Sequence, residues 1–507
     1  MGFSRSLTVI VLLFFELAFS GQAATIGPVA DLHITNAVIS PDGHNRTAIL
    51  AGGSYPGPLI RANKGDNFQI NVINELTDEE MMTSTSVHWH GLFQAGTNWA
   101  DGGVSVNQCP ITPGTSFLYD FKAGTQAGTF LYHSHTSTQY CNGLVGPLVV
   151  YDPHDPHRYL YDVDDESTIL SLSEWYHSPP SPHGKPPSPD STLINGLGRY
   201  SEGPKSPLTV ITVKRGKRYR FRLISMACHP TYQFNIDNHY MKVIEVEGTN
   251  SIPLPVDNIE IWPGQRYSFV VHANQPVGNY WIRAKPNYGN DTYIGGLNSA
   301  ILRYVGAPEE EPTTVQTGGH NTLQESHLHP LVPKPVPGLP FPGGVDYALN
   351  LAFSFDKGLF YVNGATFVPP SVPALLQIFS GTRNAQDLLP SNSVYSLPPN
   401  ATIEITMPGI AGGGHPMHLH GHNFWVVQSA QSLPNYVNPI LRDVVDIGGV
   451  GDNVTIRFQT NNPGPWFLHC HIDFHLVGGM AIVLAEDING TAAANPAPVE
   501  WEQMCQF

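Results

Sequence analysis

Gly464-Pro465-Trp466-Phe467-Leu468-His469-Cys470-His471 has a counterpart in Gly128-Thr129-Phe130-Leu131-Tyr132-His133-Ser134-His135. Each follows an HxHG tetrad, His418-Leu419-His420-Gly421 in one case and His88-Trp89-His90-Gly91 in the other. In both copies a glycine stands five residues before the second HxH pair. The simplest reading is two related β domains, one at each end of the chain. Along a strand, residues i and i+2 point to one face, so every HxH pair aims two imidazoles into one space.

Outward from these segments the texture is the same. Short Val/Ile/Thr/Phe/Tyr runs alternate with Gly/Pro/Asn/Asp clusters, and helix-forming stretches are scarce, which predicts an all-β protein. Its 507 residues exceed one ordinary core. We expect three β domains: residues 25–155, 156–325 and 326–507. The middle one has the β texture but no HxH pair. The proline-rich stretch His329–Pro342 reads as an extended linker, and Ser178–Pro189 as a surface loop. In Lys214–Arg222, Arg218, Arg220 and Arg222 alternate with Tyr219, Phe221 and Leu223, the pattern of a half-buried strand rather than of a nucleic-acid contact.

Composition narrows the function. Only 13% of residues are charged, about half the usual share, which excludes coiled coils and charge-rich disordered chains. The 25 Lys and Arg against 41 Asp and Glu leave a net charge of −16, and such a surface repels nucleic acid. Arg5, the apolar run Leu7–Phe15 and the small residues through Ala24 form a secretory signal peptide over residues 1–24. The run is too short to span a bilayer and no later stretch is long enough, so the protein is expected outside the cell and off the membrane. Met1-Gly2 with Ser6 also fits the bare N-myristoylation pattern. Five N-x-S/T acceptors, at Asn45, Asn290, Asn400, Asn453 and Asn489, favour export over it. In an oxidising compartment four of the five cysteines should pair. Cys470, flanked by histidines, is the one a metal would claim.

Four HxH pairs bring together His88, His90, His133, His135, His418, His420, His469 and His471. Imidazole suits Zn, Cu, Fe or Ni, and eight are too many for one tetrahedral ion, so a multinuclear cluster between the end domains is implied. Cys470 points away from its neighbours, toward a second site. His415, His475 and Met480 are at hand there, and Cys with two His and a weak Met is the ligand set of a blue copper centre. His327-Leu328-His329 lies beside the proline linker and is taken as a chance pair. His154, His157, His177 and His183, in polar loops, are assigned no metal.

Four segments together resemble the multicopper oxidases, and among them secreted fungal laccases. They are His88–Gly102, Gly128–Cys141, His415–His422 and Gly464–Leu476. The resemblance covers nearly the whole mature chain. It implies three cupredoxin domains and four copper ions. By matching position, the type 1 copper takes His415, Cys470 and His475, with Met480 axial. The type 2 copper takes His88 and His418. One type 3 ion takes His90, His133 and His471, the other His135, His420 and His469. The resemblance also implies the disulfides Cys109–Cys505 and Cys141–Cys228, and a monomer. It departs from the family at Leu131 (commonly Trp), Asn142 (Asp), Met417 (Phe) and Met480 (often Phe or Leu). A coordinating Met480 would stabilise Cu(II) and lower the potential. A core methionine with its sulfur turned away would not.

The implied reaction removes single electrons from a phenol or aromatic amine beside His475 and reduces O₂ to water. Asp190 matches the position that contacts the phenol hydroxyl, or else is a turn aspartate. Asp101 and Asp473 are candidates for delivering protons to reduced oxygen, or for orienting ligand imidazoles. Rival readings share the ligands. A ferroxidase would want acids near His415 and His475, and Gly409–Gly414 and Leu476–Gly479 carry none. An ascorbate oxidase would keep an axial methionine. A copper carrier would not need the cluster.

Overall fold

The computed structural model describes residues 24–181 and 186–506. All but Ala24 of the expected signal peptide lies outside them, as do His183 and the middle of the 178–189 loop.

Three β domains of cupredoxin-like architecture follow one another. In the first, Arg46–Ala51, Val29–Ile39, Asn67–Asn74 and Ser116–Lys122 form a four-stranded sheet. The second sheet runs Thr25–Ile26, Leu59–Asn63, Val145–Tyr151, Gly128–His133, His88–His90. Asn67–Asn74 shows why such segments become strands: Phe68, Ile70 and Val72 are buried while Asn67, Gln69 and Asn71 face outward, the period-2 alternation of a sheet with one wet face. The two sheets share a core that includes Phe68, Ile70, Trp89, Tyr132 and Leu148. Seven- and five-stranded sheets between residues 169 and 304 build the middle domain. Two five-stranded sheets and a hairpin, between residues 347 and 486, build the last.

The repeat is realised as equal strand pairing. We label His88–His90 β1, Gly128–His133 β2, Pro416–Leu419 β3 and Gly464–Cys470 β4. β1 pairs antiparallel with β2, placing His88 opposite His133; β3 pairs antiparallel with β4, placing His418 opposite His469. β4 is buried along its whole length rather than in alternation, because one face meets its own core and the other meets the first domain.

Arg218–Ser225 is a strand, as its alternation implies, but Arg220 and Arg222 do not face solvent. They are 4% and 2% exposed and are neutralised by Asp155, Glu245 and Asp164. The strand is covered on both sides, so its cations had to be paired rather than solvated. The proline-rich segment is extended as expected and is tied down: the Arg457 guanidinium donates to the carbonyls of Pro337, Leu339 and Phe341.

The first and last domains are joined covalently and by hydrogen bonds. Cys109 bonds Cys505, and Cys141 bonds Cys228 in the middle domain; Cys470 stays free and buried. The side chains of Asn98 and Asn107 both donate to the carbonyl of Pro465, at 3.1 Å each. The middle domain clamps this interface through Arg266, which is wholly buried. Its guanidinium meets Asp443 of the last domain in two 2.7 Å bonds and the Thr129 carbonyl of the first at 3.1 Å.

Replacing Arg266 with Met leaves Asp443 buried without its counter-ion, and we expect a loss of about 3–5 kcal/mol, seen as a lower denaturation midpoint. Adding Asp443→Asn should recover part of that loss. Glu174 gives a second expectation. Burial, against donation from the Cys228 amide at 3.1 Å, raises its carboxyl from 4.5 to about 7. Its contribution to stability is therefore full below the ordinary carboxylate range and is lost as pH rises through about 7. Compared with Glu174→Gln, the wild-type chain should lose roughly 3 kcal/mol between those limits, measured as the difference in their melting profiles with pH.

Candidate metal centres

At the interface of the end domains, β1 and β3 with the ends of β2 and β4 bring all eight HxH histidines together, each at most 8% exposed. The backs of the rings are held by acceptors. The Nδ1 atoms of His88, His133, His418 and His469 donate to the carbonyls of Asp101 (2.6 Å), Ser134 (2.9 Å), Asp443 (2.9 Å) and Cys470 (2.9 Å). His420 Nδ1 donates to the Asp101 carboxylate at 2.7 Å and His90 Nε2 to the Asp443 carboxylate at 3.0 Å. These acceptors fix the tautomers and leave lone pairs facing inward.

Lone pairs then meet lone pairs. His88 and His418 face each other through Nε2 atoms 3.4 Å apart, and His420 and His469 through Nε2 atoms 3.0 Å apart. His90 Nδ1 lies 3.0 Å from His471 Nε2. His133 Nε2 and His135 Nε2 are buried with no hydrogen-bond partner. Burial, reinforced by the neighbouring rings, holds His90, His133, His135, His418, His420 and His471 well below the usual imidazole range, and His469 at about 4. These seven rings are neutral, the form that ligates. Cations between the opposed nitrogens would satisfy every one of these atoms, so the residues fit metal ions. Donor atoms of His135, His420 and His469 fall within 4.8 Å of one another, as do those of His88, His90 and His133. Gly264 of the middle domain turns at φ +80° against this wall, where a Cβ would come within 3.0 Å of the His90 and His471 rings.

On the opposite face of β4, Cys470 Sγ lies 3.5 Å from His475 Nδ1 and 3.8 Å from His415 Nδ1, and those two nitrogens are 3.1 Å apart. A short helix, Asp473–Val477, follows β4 and folds His475 back beside Cys470. Met480 closes the turn through its backbone, accepting from the Cys470 amide at 3.0 Å and donating to the His475 carbonyl at 2.9 Å. Burial pushes the Cys470 thiol up and His415 down to about 4, so a thiolate there requires a bound cation. His475 alone of the three is half-exposed.

The remaining expected residues divide. Asp101, fully buried, contacts two cluster histidines and orients them. Asp473 is buried beside the Cys141–Cys228 bridge, its amide donating to the Cys228 carbonyl at 3.1 Å, and burial raises its carboxyl well above the usual range. Asp190 is half-exposed and lines a shallow cleft with Glu174, Arg199, Pro230, Tyr232 and Tyr288. His229 was not foreseen. Its ring stands 4.5 Å from that of Tyr288 and 6.3 Å from that of His475, linking the cleft to the cysteine site. A lone histidine after Cys228 carries no motif, and only the fold brings it here. His327 and His329 join no metal-ligand group among the described residues.

Asp101→Ala removes the carboxylate that fixes His420. We expect metal affinity at the cluster to fall about 10- to 100-fold, read as metal per chain against a competing chelator, with the loss confined to the histidine cluster.

Three family models described as multicopper oxidase match residues 33–155, 166–307 and 367–490. The chain is 61% identical to Laccase-2 of Trametes villosa over 97% of its own length and 96% of that protein. It is 60% identical to a laccase of Phlebia radiata over 95% and 94%. Among solved structures, the laccase from Botrytis aclada superposes with a TM-score of 0.82 at 31% identity, covering 96% of this chain and 92% of that one. Fet3p, a multicopper oxidase that functions in iron import, gives 0.83 at 29%, covering 95% of each. These matches span nearly the whole chain, which belongs to the multicopper oxidase family and is a laccase-type, copper-dependent oxidoreductase.

Proposed function

We propose that this chain takes single electrons from phenols and aromatic amines and passes them to O₂, using four copper ions. The observation that carries the reading is the end of β4, where Cys470 faces one way and His469 and the next residue, His471, face the other. One residue thus separates an electron-accepting site from a cluster.

His415, Cys470 and His475 would hold the type 1 ion, with Met480 as a weaker ligand. His88 and His418 would hold the type 2 ion. His90, His133 and His471 would hold one type 3 ion, and His135, His420 and His469 the other. The opposed pairs His88–His418, His90–His471 and His420–His469 support this division. Copper supplies one-electron redox chemistry at the first site and O₂ reduction at the cluster. The chain does the rest. His475, half-exposed, offers the electron its entry. Asp190 and Tyr288 in the adjoining cleft receive the aromatic substrate, and Asp190 takes the hydroxyl proton. Asp101 and Asp443 keep the cluster imidazoles aimed, while burial of the cluster excludes bulk water. Asp473, raised and buried, holds a proton two residues from both His471 and His475.

Domain limits at 25–155, 156–325 and 326–507 suit the family matches. No described helix is long and apolar enough to cross a membrane. The acceptor asparagines Asn45, Asn290, Asn400, Asn453 and Asn489 are all exposed, which supports a secreted glycoprotein.

The purified protein should show a strong blue absorption and take up O₂ rapidly with 2,6-dimethoxyphenol. Absence of the blue band in copper-replete protein removes Cys470 as a ligand, and faster uptake with Fe(II) than with the phenol replaces the substrate class. Met480→Phe should raise the potential of the blue site in a redox titration. An unchanged potential would mean that the thioether does not reach the metal.

A further inference from the structure

His177 and Asp190 stand at the base of one loop, held there by the strand pair beneath it. Trp175 pairs with Ser191 across Ile169–Trp175 and Ser191–Ile194, and the Asp190 amide donates to the Trp175 carbonyl at 2.9 Å. The His177 amide donates to Asp190 Oδ2 at 2.8 Å, fixing the carboxylate, and His177 Nδ1 lies 3.8 Å from Asp190 Oδ1. That gap is one small rotation of the half-exposed carboxylate from hydrogen-bonding distance.

The other edge of the ring points into the protein. His177 Nε2 lies 2.9 Å from Oδ2 of Asp42, a first-domain residue with no exposed surface. Asp42 also accepts from Ser191 Oγ at 2.7 Å and from the His44 amide at 3.0 Å. A carboxylate only accepts, so Nε2 carries the hydrogen and Nδ1 keeps its lone pair toward Asp190. Among the described residues no Lys or Arg forms an ion pair with Asp42; its charged partner is His177. His44 stacks on the ring at 3.9 Å and Tyr200 meets it edge-on at 4.5 Å. A buried carboxylate bonded to one ring nitrogen would hold the charge of a proton arriving at the other.

We infer that Asp42–His177–Asp190 is a proton relay, in which His177 accepts the proton that Asp190 takes from a phenol. This rests on Asp190 being the phenol contact. As the phenol O–H bond breaks, one electron leaves through His475 and ends on O₂. The proton forms an O–H bond on Asp190 and then an N–H bond at His177 Nδ1. Asp42 holds the imidazolium, as the orienting carboxylate does behind a catalytic histidine, until Nδ1 returns the proton to solvent at the loop base. Asp190 is then ionised for the next phenol. His177 never touches the substrate; it is a positioning residue acting through Asp190. The groups that face the relay are Asp42, Asp190, His44 and Tyr200, with Arg46 nearby acting on Asp42.

The test compares kcat/KM for 2,6-dimethoxyphenol with that for ferrocyanide, a one-electron donor with no proton to release, in the copper-loaded enzyme. His177→Gln keeps a donor for Asp42 but has no basic nitrogen. We expect it to lower the phenol-to-ferrocyanide ratio about 10- to 100-fold at acid pH. The deficit should shrink as pH rises and phenolate becomes the substrate, and added imidazole should restore the ratio in His177→Gly. Asp190→Asn should show a similar loss. If Asp190→Asn lowers the ratio while His177→Gln matches the wild type at every pH, the relay is overturned and the phenol contact stands. If Asp190→Asn itself leaves the ratio unchanged, the phenol contact fails and the relay with it. Asp42→Asn keeps the imidazole and its stacking, and serves if the His177 variants do not fold. A wild-type ratio in that variant also overturns the relay.

Discussion

The architecture hangs on one buried contact. Arg266 of the middle domain grips Asp443 of the last, and the same carboxylate receives the ring hydrogen of His90 from the first. Three domains meet at one carboxylate, and two walls of the histidine cluster are aligned by it, since the Asp443 carbonyl also holds His418. Among the described residues, the middle domain supplies no side chain to these candidate metal-binding groups. Its part is to set the distance between the two that do, and the Gly264 turn shows how closely it approaches.

A second economy lies in β4. Because neighbouring side chains on a strand point oppositely, three consecutive residues serve two sites without sharing a cavity. The price is a strand buried on both faces, which leaves Asp473, Glu174 and the Cys141–Cys228 bridge in a region where burial raises carboxyl groups. Proton-holding groups thus arise beside the electron path as a by-product of covering it. The cleft at Asp190 is different: that carboxylate is half in water and is steadied by a backbone amide and an imidazole rather than by burial.

Much of this was legible in the chain. The repeat of HxHG and HxH foretold the convergence of eight imidazoles between the end domains, because residues i and i+2 of a strand face one side. The disulfides followed from likeness to a family, since three pairings of four cysteines are equal on paper. What could not be read was contact between distant segments. Arg266 and Asp443 carry no motif; Asp42 and His177 look like loop residues; His229 is a single histidine. Arg220 and Arg222 misled in an instructive way. Alternating charge normally marks a wet face, but a strand covered on both sides hides that face, and only the partners Asp155, Asp164 and Glu245 reveal why it tolerates cations.

The cluster draws its ligands from residues 88–135 and 418–471, and Cys109 is bonded to Cys505 almost at the chain's end. A growing chain therefore cannot close the cluster until both spans have been made, and the Cys109–Cys505 bond then clasps the two halves together.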